Sequence, residues 1–117
     1  MKCINISYKV PKDNATEVEK VLKEHGEFMK KTYVKGSKAI HPLHTYFTKS
    51  EELIDPLSPE KGTTGYSIFT LNEIWNKEED VVAHITRASQ APHFDRFYAA
   101  NKYATVSLMG NIMYKLD

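Results

Sequence analysis

The chain has 117 residues, a net charge of +1, 41% hydrophobic residues and 26% charged residues. That length fits one domain, residues 1–117, with a core large enough to stand without disulfide or metal staples. Balanced charge with no basic stripe argues against nucleic acid as a partner, and no apolar run is long enough to span a membrane. The single cysteine, Cys3, rules out an internal disulfide and fits a reducing, cytoplasmic setting. It lies in a strand pattern and reads as a small hydrophobe, not a nucleophile. The opening "MKCINISYKV" alternates instead of forming an apolar run, so it reads as neither signal peptide nor anchor.

In residues 2–10, Ile4, Ile6, Tyr8 and Val10 face one way and Cys3, Asn5, Ser7 and Lys9 the other, which predicts a strand. Pro11 ends it. "KDNATE" then reads as a helix start with Asn14 as N-cap and Glu17 three residues on. Val18, Val21, Leu22, His25, Met29 and Tyr33 form its apolar stripe. Gly26 weakens this helix by roughly 1 kcal/mol relative to alanine and marks either a close approach to the sheet or a kink. Gly36 and Ser37 end the segment.

An extended segment is expected from Ile40 to Leu53. The stretch "SEELIDPLSPEKGTTG", residues 50–65, reads as a long loop, of the kind that carries function or wraps a subunit contact. Tyr66 to Trp75 predicts a strand with Ser67, Phe69, Leu71, Glu73 and Trp75 on one face. Large apolar residues on both faces place it inside a sheet. Asn76 is the expected cap of a second helix, with stripe Val81, Val82, Ile85 and Ala88. Pro92 breaks the chain before a short helix containing Phe94, Phe97 and Tyr98. Tyr103 to Lys115 alternates again, with Gly110 as a bulge.

The order β-α-β-β-α-β is the ferredoxin-like split βαβ pattern: an α+β fold with an antiparallel sheet and helices on one face. Phe69 and Met109 are expected on the uncovered face, which implies a homodimer through that open sheet face.

The segment "YSIFTLNEIWNKEEDVVAHITRASQAPHFDRF" resembles the signature of the dimeric α/β-barrel superfamily, closest to its antibiotic-biosynthesis-monooxygenase-like branch. The resemblance rests on the strand end Glu73-Ile74-Trp75, the acidic helix start, Ala83-His84 on that helix, and Pro92-His93-Phe94 beyond it. It implies a dimer with sheets packed face to face. It also implies a repertoire running from cofactor-free quinol or polyketide oxygenation to haem degradation and isomerisation, beside members with no known reaction. The haem-degrading subgroup resembles this chain at Asn5 and near His93. It carries a tryptophan at or beside the position of His84, whereas the one tryptophan here, Trp75, ends a strand. That departure argues against haem binding or degradation.

His84 is expected on the flank of its helix stripe, where it either braces helix against sheet or faces a cavity and moves a proton. The brace is the commoner role. His93, at a helix start after proline, either caps backbone or reaches a ligand. The two histidines lack the spacing of a metal pair. His41 and His44 fall on opposite faces of a strand. No metal is expected, and without a glycine-rich phosphate motif no nucleotide cofactor either. The expectation is a monooxygenase-like protein performing cofactor-free oxidation of an aromatic, quinol or polyketide-like molecule. His84 is its favoured proton-handling residue, His93 its second, and Asn5, Trp75 and Phe94 contact the substrate. The alternative is a non-enzymatic ligand-binding or stress-type homodimer.

Overall fold

A computed structural model describes residues 1–116. The alternating N-terminal residues form strand β1, Lys2–Pro11, and helix α1 follows without a linker at Lys12–Thr32. Pro11 is itself the residue before the first helical turn, with φ −55° and ψ 142°. Its fixed φ and missing N–H suit a strand-to-helix corner. No side chain caps this helix, so the cap expected at Asn14 is not used, and Asn14 lies inside the first turns. The helix closes at Thr32, where the Tyr33 N–H bonds the Met29 carbonyl.

Strand β2, His44–Leu53, starts later than its sequence pattern predicts. It pairs with β3, Thr63–Trp75, as a long hairpin. The loop expected over 50–65 therefore shrinks to residues 54–62, including one short 3-10 turn at Pro59–Lys61. Ladder hydrogen bonds outweigh the weak strand propensity of Glu51 and Glu52, and the β-branched Thr63 and Thr64 favour the strand. Helix α2, Glu78–Ser89, is preceded by Lys77 and not capped by Asn76. Helix α3, Phe94–Ala99, and a 3-10 turn at Ala100–Tyr103 lead into edge strand β4, Ala104–Asn111.

The sheet is four-stranded in the order β2-β3-β1-β4, with every neighbouring pair antiparallel. Element order and strand order are compatible with a ferredoxin-like fold. Facing registers Tyr8 with Phe69, Ile6 with Leu71 and Ile4 with Glu73 align one inner face. This face packs on Val18, Leu22 and Met29 of α1 to make the core. Gly26 is continuous helix, and its missing side chain lets Phe47 of β2 approach to 3.5 Å from where a Cβ would stand.

Phe69 is in this core at 2% exposure, and Met109 packs against it. Neither lies on the outer face, contrary to the alternation that had implied an apolar open face. That face instead carries a polar network. Asn5 donates to Asn72 Oδ1 at 3.1 Å, Asn72 donates to Thr70 Oγ1 at 2.9 Å, and Thr70 bonds Thr48. No helix among the described residues is long and apolar enough to cross a membrane.

Candidate functional site

The period-two pattern that buries Phe69, Leu71 and Trp75 also buries Glu73, a charged residue on the core face of a central strand. On α1, His25 lies three residues beyond Leu22 and four before Met29, within the buried stripe. On α2, His84 lies between Val81 and Ala88 at the same spacings. The buried line of α2 is Asp80, Val81, His84 and Ala88, while Val82 and Ile85 are 51% and 36% exposed. His84 is thus at the centre of the buried line and not on its flank. Three elements bring His25, Glu73 and His84 together, with one ligand-capable atom from each all within 4.8 Å of one another. All three are at most 3% exposed.

A chain of side-chain contacts fixes the group. Arg87 donates to the Tyr33 hydroxyl at 2.8 Å, and that hydroxyl bonds His84 Nδ1. His84 Nε2 lies 3.3 Å from Glu73 Oε1, and Trp75 Nε1–H donates to the same oxygen at 2.8 Å. With Tyr33 donating to Nδ1, the neutral imidazole carries its proton on Nε2, which faces Glu73 in close contact without a hydrogen bond. Both ring nitrogens of His84 therefore meet side chains. Trp75 also lies beside His84, ring centroids 4.7 Å apart and planes tilted by 31°. His25 lies nearly parallel to Phe97 at 4.0 Å, and its Nδ1 is 2.9 Å from His93 Nε2.

Burial sets the protonation of the group, because desolvation disfavours whichever form is charged. It pushes Glu73 up to about 7, against the Trp75 N–H, which favours the carboxylate. It drops His84 to about 4, with the Arg87 charge adding to the effect. It drops His25 to about 3, with His84 and His93 adding. At neutral pH both imidazoles are uncharged and Glu73 is shared between its acid and its carboxylate.

Beside this group is a cavity of about 150 Å³ between the sheet and helices α2 and α3. His25, Glu73 and His84 are its polar lining on the sheet and helix walls, and Ile4, Leu71 and Phe97 are among its apolar lining. Tyr98, Val106 and Leu108, 62%, 42% and 50% exposed, also line it and set an apolar mouth at the β4 edge. Asn101 also lines it, and its Oδ1 is buried with no hydrogen-bond partner among the described residues. A larger groove of about 850 Å³ runs between α1 and α3. Within it Glu19 pairs with Lys23 and Glu24 with Arg96 on exposed helix faces, so it reads as a solvated surface.

Of the residues singled out from sequence, His84 and Phe94 line the cavity. Trp75 is wholly buried and holds Glu73 from behind. His93 does not line the cavity. It lies under the surface groove and supports His25, and it precedes α3 without capping it by a side-chain bond. Asn5 is on the opposite face of the sheet, bonded to Asn72, and shares nothing with the cavity. Sequence reasoning missed His25, Glu73, Tyr33 and Arg87. Glu73 had a signal: it shares the face of Leu71 and Trp75, where a carboxylate stands out. His25 was hidden inside an apolar stripe, and its partner His84 is far away along the chain.

Comparison with known protein families, curated proteins and solved structures returns no match for this chain.

Proposed function

We propose that this chain is a monooxygenase-like enzyme of the dimeric α/β-barrel type, oxidising an aromatic, quinol or polyketide-like molecule through proton abstraction in the cavity. One observation carries the reading: an apolar cavity that ends on a buried, rigidly held Glu73–His84 pair. Cofactor-free oxygenation requires a base, an apolar chamber and polar groups near the developing anion. Glu73 is the base, His84 steadies it and Trp75 orients it. Asn101 Oδ1 supplies an acceptor for a substrate hydroxyl.

With an activated methylene, Glu73 takes one C–H proton, and the carbanion passes one electron to O₂. The resulting radical pair couples to a peroxide. Loss of the second C–H proton then breaks the O–O bond, leaving one oxygen as a ketone and the other in water.

An anthrone-type probe with oxygen-electrode detection tests this. The parent chain is expected to consume O₂ with the probe. Glu73→Gln and His84→Gln are expected to lose turnover, while His41→Ala keeps it. Ala88→Leu, which fills the cavity, is expected to lose both turnover and probe binding. Binding without turnover in the parent would favour the ligand-binding alternative instead.

In the same reading a second copy covers the outer sheet face. Ile68 and Ile74, half-buried among the polar residues there, support this. Sedimentation is expected to show a dimer that Thr70→Lys splits. A monomeric parent would refute it.

A further inference from the structure

The three buried side chains beside the cavity have a second chemical capacity. Two imidazoles and one carboxylate make a donor set suited to a divalent transition-metal ion. Metal bonds of about 2.0–2.1 Å in a tetrahedral site set ligand atoms roughly 3.3 Å apart. His84 Nε2 and Glu73 Oε1 already stand at 3.3 Å. The third ligand atom, from His25, is within 4.8 Å of the others, so closing the set needs a movement of roughly 1.5 Å.

The surroundings are those of an outer ligand shell. Metal-bound histidines are usually held by a hydrogen bond at their other nitrogen. Here the second nitrogen of His84 meets Tyr33, and Nδ1 of His25 meets His93, which leaves Nε2 of His25 for an ion. Trp75 fixes the carboxylate. Phe97 on its face locks the His25 ring. The remaining coordination position falls toward the cavity, because all three residues line it.

We infer that His25, Glu73 and His84 form a binding site for a divalent transition-metal ion of the zinc or ferrous type, open to the cavity and braced by His93, Tyr33 and Trp75. The inference does not rest on the monooxygenase reading. Ion and proton compete for the same lone pairs, so loading the site suppresses the proton transfer proposed above. A chain that binds metal yet, when metal-free, oxidises no probe keeps this inference and loses that reading.

The test uses the full chain, stripped with a chelator and titrated with Co²⁺ by visible absorption. One Co²⁺ per chain is expected, with d–d bands of a nitrogen and oxygen ligand set, displaced by Zn²⁺. His25→Gln and Glu73→Gln are expected to weaken binding more than tenfold. His93→Gln, which touches only the outer shell, is expected to weaken it about tenfold. The double variant His41→Ala/His44→Ala is expected to bind as the parent does. No spectral change in the parent at large excess of Co²⁺ overturns the inference, as does parent-like binding by His25→Gln. X-ray absorption on the unsubstituted zinc-loaded protein, which needs no variant to fold, is expected to count two imidazoles. Any other count overturns the assignment.

Discussion

Replacing Glu73 by glutamine should make the protein more stable and less capable. The two side chains have nearly the same shape, and the amide carbonyl of the replacement can still accept from Trp75. What changes is charge. A carboxyl that dissociates at about 7 in the fold and at 4.5 when unfolded destabilises the native state once it ionises. The sign follows from the raised value: the native state holds the proton more tightly, so the contribution of Glu73 to stability falls as pH rises from 4.5 through about 7. The size is under about 1 kcal/mol at pH 5 and about 3 kcal/mol at pH 8. Urea denaturation at both pH values, with chelator present so that protons alone occupy the site, reads this directly. Glu73→Gln is expected to match the parent closely at pH 5 and to exceed it by about 3 kcal/mol at pH 8. A difference that is equal at the two pH values, or a variant less stable at pH 8, would refute the picture of a carboxylate held against its desolvation cost.

Three further outcomes follow from the same geometry. Between pH 4.5 and 6.5 the unfolded chain protonates His25 and His84 while the native chain does not, and native Glu73 keeps one proton that the unfolded chain has lost. The net one-proton difference among these three groups lowers metal-free stability on acidification by about 1.4 kcal/mol per pH unit. The lowered His93 adds in the same direction, and Glu73→Gln should steepen the slope by about a further 1.4 kcal/mol per pH unit. Denaturation series across that interval measure both slopes. Trp75→Phe keeps an aromatic ring beside His84 but removes the N–H that favours the carboxylate, so the Glu73 titration, followed by carboxyl-carbon NMR, should move above about 7. Gly26→Ala places a Cβ at an ordinary 3.5 Å from Phe47 and removes a weak helix position. Thermal melting should show a gain of up to about 1 kcal/mol.

The strands and helices were largely legible, because β1 and β3 alternate cleanly and α1 carries a regular stripe. Boundaries were less so: Asn14 and Asn76 look like caps, yet the chain turns into helix at Pro11 and Lys77 without a side-chain cap. The side on which Phe69 lies was not legible, because β3 carries apolar residues on both faces and periodicity alone could not say which one meets α1. Pairing of Phe69 with the fully buried Tyr8 settles it. The site was half legible. His84 stands out by residue type, but its place at the centre of the buried line depends on α2 leaving Val82 and Ile85 exposed. Its partners are contributed by α1 and β3, and no local pattern links Tyr33, His25 and Glu73 to it.

The bulge in β4 has a consequence for how the molecule avoids its own kind. Ser107 opposes Asn5 and Gly110 opposes Cys3, so β4 carries an extra residue there, and Met109 takes a φ of 57° to absorb it. An edge strand offers unpaired backbone to any passing chain, and here that edge adjoins an apolar mouth formed by Val106 and Leu108. A bent edge cannot serve as a straight template for cross-strand addition. The irregularity at Met109 therefore lets the protein keep a greasy opening at its rim without inviting fibril-like stacking.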